Sequence, residues 1–157
     1  MEQGLTNGQA FCLEYGQDIQ NLSRYIPWLM EKKGRDVSSE YAGEYGNSQL
    51  KFPVYDSTLM TFVREAGKTR LMDKNYAYAY TRYKIKTNED EKKAILNAGI
   101  KDIDLLKGVF TKYISEGMRK SGKWQEAIER QVFLDILQKL NDLLVYYNGQ
   151  LENQNGN

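Results

Sequence analysis

The sequence has 157 residues, with 22 lysines and arginines against 21 aspartates and glutamates, so its formal net charge is only +1. Hydrophobic residues make up 41% of the chain, and a chain of this length is expected to fold as one domain without disulfides or metal ions. The absence of histidine excludes Ser-His and Cys-His nucleophile pairs and removes the most frequent metal ligand.

The single cysteine, Cys12, forms no intramolecular disulfide, which is typical of a reducing compartment. The sequence shows no signal-peptide pattern and no apolar run of the ~20 residues that a membrane span needs. We therefore expect a cytoplasmic protein with no membrane segment. The near-neutral charge argues against nucleic-acid binding over the whole surface, but it leaves a local basic patch open.

The N-terminal half begins with a helical pattern over about 9–33, in which apolar residues recur at steps of three and four. Pro27 predicts a break or kink in that helix. Residues 34–54 are rich in glycine and predict a long surface loop. Within 40–55 the pattern allows a short β-hairpin that turns at Gly46-Asn47-Ser48, because glycine and asparagine tolerate a positive φ. A short helix should follow, capped by Asp56 or Ser57 and ended by Gly67.

The segment 75–87 fits two periods. Tyr76, Tyr78 and Tyr80 alternate as on a strand, whereas Tyr76, Tyr80 and Tyr83 share one face of a helix. The alanines and the flanking helices favour the helix, but the spacing alone leaves both alternatives open.

Two long C-terminal helices, about 102–118 and 121–147, are predicted to supply most of the core. We expect Phe110, Trp124, Ile136 and Leu140 to be buried between them. The fold class is therefore a mainly α, single helical domain over 9–148, with a disordered N-terminus at 1–8 and a disordered tail at 149–157.

No catalytic constellation is visible. Gly67-Lys68-Thr69 matches the end of a phosphate-binding loop, but the position where that motif needs its first glycine is Phe62, so Gly67 is interpreted as a helix cap. The acids Glu89, Asp90 and Glu91 are interpreted as first-turn residues that suit the helix dipole. We expect no enzyme activity, no metal and no cofactor.

The candidate binding surface is a basic, tyrosine-rich segment at 74–86. Its residues, which we predict to contact a partner, are Lys74, Tyr76, Tyr78, Tyr80, Arg82, Tyr83, Lys84 and Lys86. Tyrosines with cations can stack bases and neutralise phosphates, or they can anchor a protein interface. A third interpretation places about half of the tyrosines in the core, with hydroxyls at its rim.

Several motifs resemble those of a family of small bacterial and mobile-element proteins of unknown function, carried by conjugative elements and phages. They are Tyr-Ile-Pro-Trp-Leu (25–29), Phe-Pro-Val-Tyr-Asp (52–56), Asn-Tyr-Ala-Tyr-Ala-Tyr (75–80), Ile-Ser-Glu-Gly-Met-Arg-Lys-Ser-Gly-Lys-Trp (114–124) and Ile-Leu-Gln-Lys-Leu (136–140). The resemblance implies an accessory protein that binds and inhibits a host factor, such as an anti-defence or anti-CRISPR protein. We therefore expect a non-enzymatic protein-interaction module with a host protein as partner, and a nucleic-acid-binding accessory protein is the alternative.

Overall fold

The computed structural model describes residues 6–32, 38–41, 52–120 and 122–155, with the backbone alone at 38–41, 52–55 and 150–155. It is mainly helical. The elements are α1 (Asn7–Ser23), α2 (Ile26–Glu31), β1 (Ser38–Tyr41), β2 (Phe52–Tyr55), α3 (Ser57–Ala66), α4 (Tyr76–Arg82), α5 (Asn88–Asn97), a 3₁₀ turn (Ile100–Asp102), α6 (Ile103–Glu116), α7 (Lys123–Glu129) and α8 (Val132–Asn155).

The helix predicted over about 9–33 is interrupted just before Pro27, so that it forms two helices, α1 and α2. Thr6 and Gln9 form a capping box at the start of α1, and Pro27 lies in the first turn of α2, where its missing N–H leaves no helical hydrogen bond unmade. Gly8 allows α1 to approach α8 closely, since a Cβ there would meet the ring of Tyr147 at 2.0 Å. The N-terminal helix therefore lies against the C-terminal one.

The strands β1 and β2 pair antiparallel, with Ser38 opposite Tyr55 and Tyr41 opposite Phe52. The short β-hairpin predicted within 40–55 is not confirmed, because its predicted turn at Gly46-Asn47-Ser48 lies outside the described residues. Ten residues separate the two paired strands along the chain. Alternation over such short segments does not fix which residues pair.

The prediction of two long C-terminal helices needs correction. The segment predicted as one helix at 121–147 contains two, α7 and α8, and the chain turns between them at Gln131, whose φ is 58°. The apolar pattern continues across the turn through Ile128, Val132 and Phe133, so periodicity does not reveal it. Asn155 ends α8 inside the segment 149–157 that the sequence predicts to be a disordered tail.

The core lies between α6, α8 and the helices around them. Phe133 of α8 packs edge-on against Phe62 of α3, at 5.2 Å between ring centroids, and against Phe110 of α6, at 5.8 Å. Trp124, Ile136 and Leu140 are also buried, so the predicted burial of these core residues is confirmed. Among the described residues, none of the helices combines the length and the hydropathy that a membrane span requires.

Candidate functional site

The helical alternative for the segment 75–87 is confirmed over Tyr76–Arg82, which form α4, whereas residues 83–87 leave the helix. The helix packs closely on α6 at Gly108, where a Cβ would approach the Cβ of Ala79 to 2.6 Å. Ala79 is itself buried, so both small residues permit the contact. This close approach fixes which side of α4 faces the core.

The inward side of α4 is held by tyrosine hydroxyls. Tyr80 donates to Oε2 of Glu91 at 2.7 Å, and Tyr83, just after the helix, donates to Oδ1 of Asp102 at 2.9 Å. Both rings are half-buried and pack against the core, although the hydroxyl of Tyr80 lies on a buried carboxylate and not at the rim that the third interpretation predicts. These two predicted contact residues are therefore anchors within the fold, and Tyr76 is also half-buried.

The exposed members of the predicted surface lie on α4 and on the chain just before and just after it. We call this set the basic α4 face; it consists of Lys74, Tyr78, Arg82, Lys84 and Lys86. Tyr78 is 66% exposed, which is high for so large an aromatic side chain. None of the four cations forms an ion pair with any described residue. The guanidinium of Arg82 lies over the ring of Tyr83, 5.5 Å from its centroid.

Beneath α4 lies a buried carboxylate that the sequence analysis assigned to the helix dipole. Glu91 of α5 is only 3% exposed. Its Oε1 accepts hydrogen bonds from the hydroxyl of Tyr113 and from Nη2 of Arg130, both at 2.8 Å, while Tyr80 binds its Oε2. Arg130 also donates to the hydroxyl of Tyr113. We call Tyr80, Glu91, Tyr113 and Arg130 the Glu91 cluster.

The electrostatics of the Glu91 cluster favour hydrogen-bond donation. Burial, followed by the charge of Glu91, raises the pKa of Tyr80 and of Tyr113. Burial opposes the charge on Arg130, but Tyr113 and Glu91 outweigh it and raise the pKa of that guanidinium. Both phenols therefore stay protonated near neutral pH. A general base has to be deprotonated before it can accept a proton, which these phenols are not.

Lysines surround the same rings. The Nζ of Lys112 lies 4.3 Å from the ring centroid of Tyr80, and that of Lys123 lies 4.8 Å from the centroid of Tyr113. Lys123 also pairs with Glu126 at 3.2 Å. The basic residues near the α6–α7 corner thus serve partly in internal contacts, and the buried indole of Trp124 donates to the carbonyl of Ile114 there.

The burial of Glu91 has a sequence signal that was missed. Glu91 lies four residues before Ile95, so the two share one face of α5, and Ile95 is 1% exposed. An acid on an apolar face predicts a buried, partnered carboxylate more directly than it predicts a dipole effect. In the described part of the chain, no group of three acidic or cysteine side chains is arranged to hold a metal ion.

The model of a family of unknown function, DUF6508, matches residues 15–145. The chain belongs to this family. The DUF6508 match includes the whole basic α4 face and the whole Glu91 cluster. Comparisons with curated proteins and with solved structures give no significant match. The expected resemblance to a family of unknown function is thus confirmed, while its bacterial and mobile-element context stays a prediction.

Proposed function

We propose that this protein is a non-enzymatic interaction module that binds an acidic surface of a partner protein through the basic α4 face. One observation carries the proposal: Tyr78 is 66% exposed on α4, and the four exposed cations of the segment 74–86 form no ion pair with any described residue. Lys74 and Arg82 lie four residues before and after it. Tyrosine and arginine are enriched among the residues that dominate binding energy at protein interfaces.

Charge complementarity supports an acidic partner. Unpaired cations attract an acidic surface over distances up to about the Debye length, roughly 8–10 Å in physiological salt. The ring of Tyr78 would then supply apolar contact area and a polar hydroxyl at the centre of the contact. The chain's net charge of +1 makes this concentration of unpaired cations a local feature.

Rigidity supports the same proposal. On its buried side, α4 is held by the hydroxyl hydrogen bonds of Tyr80 and Tyr83 and by the close contact at Gly108. A surface that is ordered before binding loses less conformational entropy when a partner docks. The Glu91 cluster therefore contributes to binding indirectly, by fixing the position of α4.

The nucleic-acid alternative receives less support from the geometry. Single-stranded nucleic acid is usually held by several aromatic rings on which successive bases stack. On the basic α4 face only Tyr78 presents a largely exposed ring, since Tyr80 and Tyr83 are half-buried and bonded to carboxylates. The resemblance to mobile-element proteins makes a host protein the partner that we propose, with inhibition as the outcome.

Affinity capture with a matched control tests the proposal. The test variant combines Arg82→Glu, Lys84→Glu and Lys86→Glu. The control combines Arg64→Glu, Lys101→Glu and Arg119→Glu, three exposed cations on other elements that give the same change in net charge. We expect a partner that the wild-type protein and the control recover but the test variant does not. Equal recovery by both variants would contradict the assignment of the surface.

An oligonucleotide titration separates the two partner classes. A fluorescein-labelled oligothymidine is titrated with the wild-type protein at 50 and 200 mM salt. We expect no binding that depends on the basic α4 face. Affinity that falls more than about tenfold over this range, and that the test variant loses, would assign the face to nucleic acid instead.

A further inference from the structure

A pocket that includes no residue of the basic α4 face lies between α5 and the start of α8. This α5–α8 pocket has a volume of about 540 Å³, within the range of small-molecule sites. Its apolar wall is formed by Ile95 and Leu96 of α5 and by Val132 of α8. Leu96 is half-exposed here although it is a large apolar residue, so the wall is accessible from solvent.

The charges on the pocket wall are nearly all paired with one another. The ion pairs are Lys93 with Glu89, Arg130 with Glu91, and Lys92 with Asp135. The remaining charged residue of the wall is the exposed Glu129, which forms no ion pair with any described residue. The pocket therefore has one more acid than it has cations, and this excess favours a cationic ligand.

One of these pairs indicates the shape of that ligand. Lys92 extends from α5 so that its Nζ lies 3.2 Å from Oδ2 of Asp135 on α8. The lysine side chain is half-exposed, whereas that of Asp135 is only 13% exposed, so the carboxylate is the fixed partner and the ammonium is the replaceable one. An alkyl stem that ends in an ammonium group is thus accommodated by this wall.

We propose that the α5–α8 pocket binds a small organic cation with an apolar stem, such as a linear alkylamine. The stem contacts Leu96 and Val132, and the ammonium group takes the place of the Lys92 ammonium at Asp135. Glu129, at the α7 end of the pocket, adds to the attraction. The site shares neither residues nor ligand chemistry with the basic α4 face.

The test uses n-hexylammonium chloride as the probe in a ¹H–¹⁵N NMR titration, with sodium hexanoate as the probe of opposite charge. We expect hexylammonium to shift amide signals of α5 and of the first turns of α8. Asp135→Asn should weaken binding about tenfold or more, because an ionic hydrogen bond is lost. Lys92→Met should tighten binding, since it keeps the stem and removes the competing ammonium.

Two further variants keep the result decisive. Lys101→Met is the control, because this exposed lysine lies outside the pocket wall, and the change should leave the affinity within about twofold of wild type. Should Asp135→Asn unfold the protein, Leu96→Ser changes an exposed wall residue and should weaken binding. Equal binding of hexanoate, or an unchanged affinity in Lys92→Met, would overturn the proposal.

Discussion

The hydroxyl of Tyr80 on α4 donates to Oε2 of Glu91 on α5 at 2.7 Å, and so joins α4 to a buried carboxylate. Two residues earlier, Tyr78 is 66% exposed on the opposite side of the same helix. The tyrosine-rich segment thus has two roles on two faces, one in anchoring and one in the proposed recognition. The residues of each face can be changed separately.

Removal of the anchoring hydroxyl should lower stability. Tyr80→Phe leaves one oxygen of the buried Glu91 carboxylate without its donor, and we expect a loss of about 1.5–3 kcal/mol in the free energy of unfolding. Tyr78→Phe, the matched control, removes an exposed hydroxyl and should change stability by less than about 0.5 kcal/mol. Urea denaturation of both variants measures the difference. Equal midpoints would show that the hydrogen bond contributes nothing.

Loss of the cationic partner should have a larger effect. Arg130→Met leaves the negative charge of Glu91, which is 3% exposed, without a counter-charge. Breaking a buried pair costs roughly 3–5 kcal/mol, and since about a fifth of the Arg130 side chain is exposed we expect about 3 kcal/mol. Arg119→Met alters an exposed arginine and is the control. Chemical denaturation of both variants measures the loss in the free energy of unfolding. Equal losses would show that Arg130 does not stabilise the buried Glu91 carboxylate.

Stability should fall in alkali. The folded protein raises the pKa of Tyr80 and Tyr113, so above about pH 10, where tyrosines of the unfolded chain ionise, the folded state binds more protons. Stability from these groups is complete below that pH and is lost as the pH rises, by up to about 2.7 kcal/mol per pH unit for the two together. In Tyr80→Phe the slope should be shallower by about 1.4 kcal/mol per unit. Parallel curves of stability against pH for wild type and Tyr80→Phe would show that ionisation of Tyr80 is not linked to unfolding.

Much of the fold follows from periodicity, since the stripe at Phe11, Tyr15, Ile19 and Leu22 predicts the buried face of α1. The two faces of α4 follow from it as well: a helix places Tyr76, Tyr80 and Tyr83 together and Tyr78 opposite. The choice between helix and strand was made by tertiary contacts, above all the fit of Ala79 on Gly108. Periodicity does not carry that information.

Periodicity predicts neither the α7–α8 break nor the pairing of Arg130 with Glu91. The turn at Gln131 interrupts no apolar stripe, and its positive φ is unusual for a residue with a side chain. The turn places Arg130 within reach of Glu91, two positions that are 39 residues apart in the sequence. Pairing over such a separation depends on how the helices pack and not on local pattern.

The break itself predicts a stabilising substitution. Gln131 adopts a φ of 58°, a conformation that costs a non-glycine residue about 1 kcal/mol or more. We expect Gln131→Gly to raise the free energy of unfolding by about 0.5–1 kcal/mol. Gln138→Gly, inside α8, should lower it by about 1 kcal/mol, because glycine is unfavourable within a helix. Thermal melts measure both variants. A shift of the melting temperature in the same direction for both would contradict the expected backbone strain at Gln131.

The affinity of the captured partner for wild type, Tyr78→Ala and Tyr80→Phe, measured by isothermal titration calorimetry, tests the separation of the two faces of α4 most directly. We expect Tyr78→Ala to weaken binding at least about tenfold while its free energy of unfolding stays within about 0.5 kcal/mol of wild type. Tyr80→Phe should lose stability and should lose less affinity than Tyr78→Ala, because it affects binding only through the position of α4. Full affinity in Tyr78→Ala would show that the exposed side of α4 does not bind the partner.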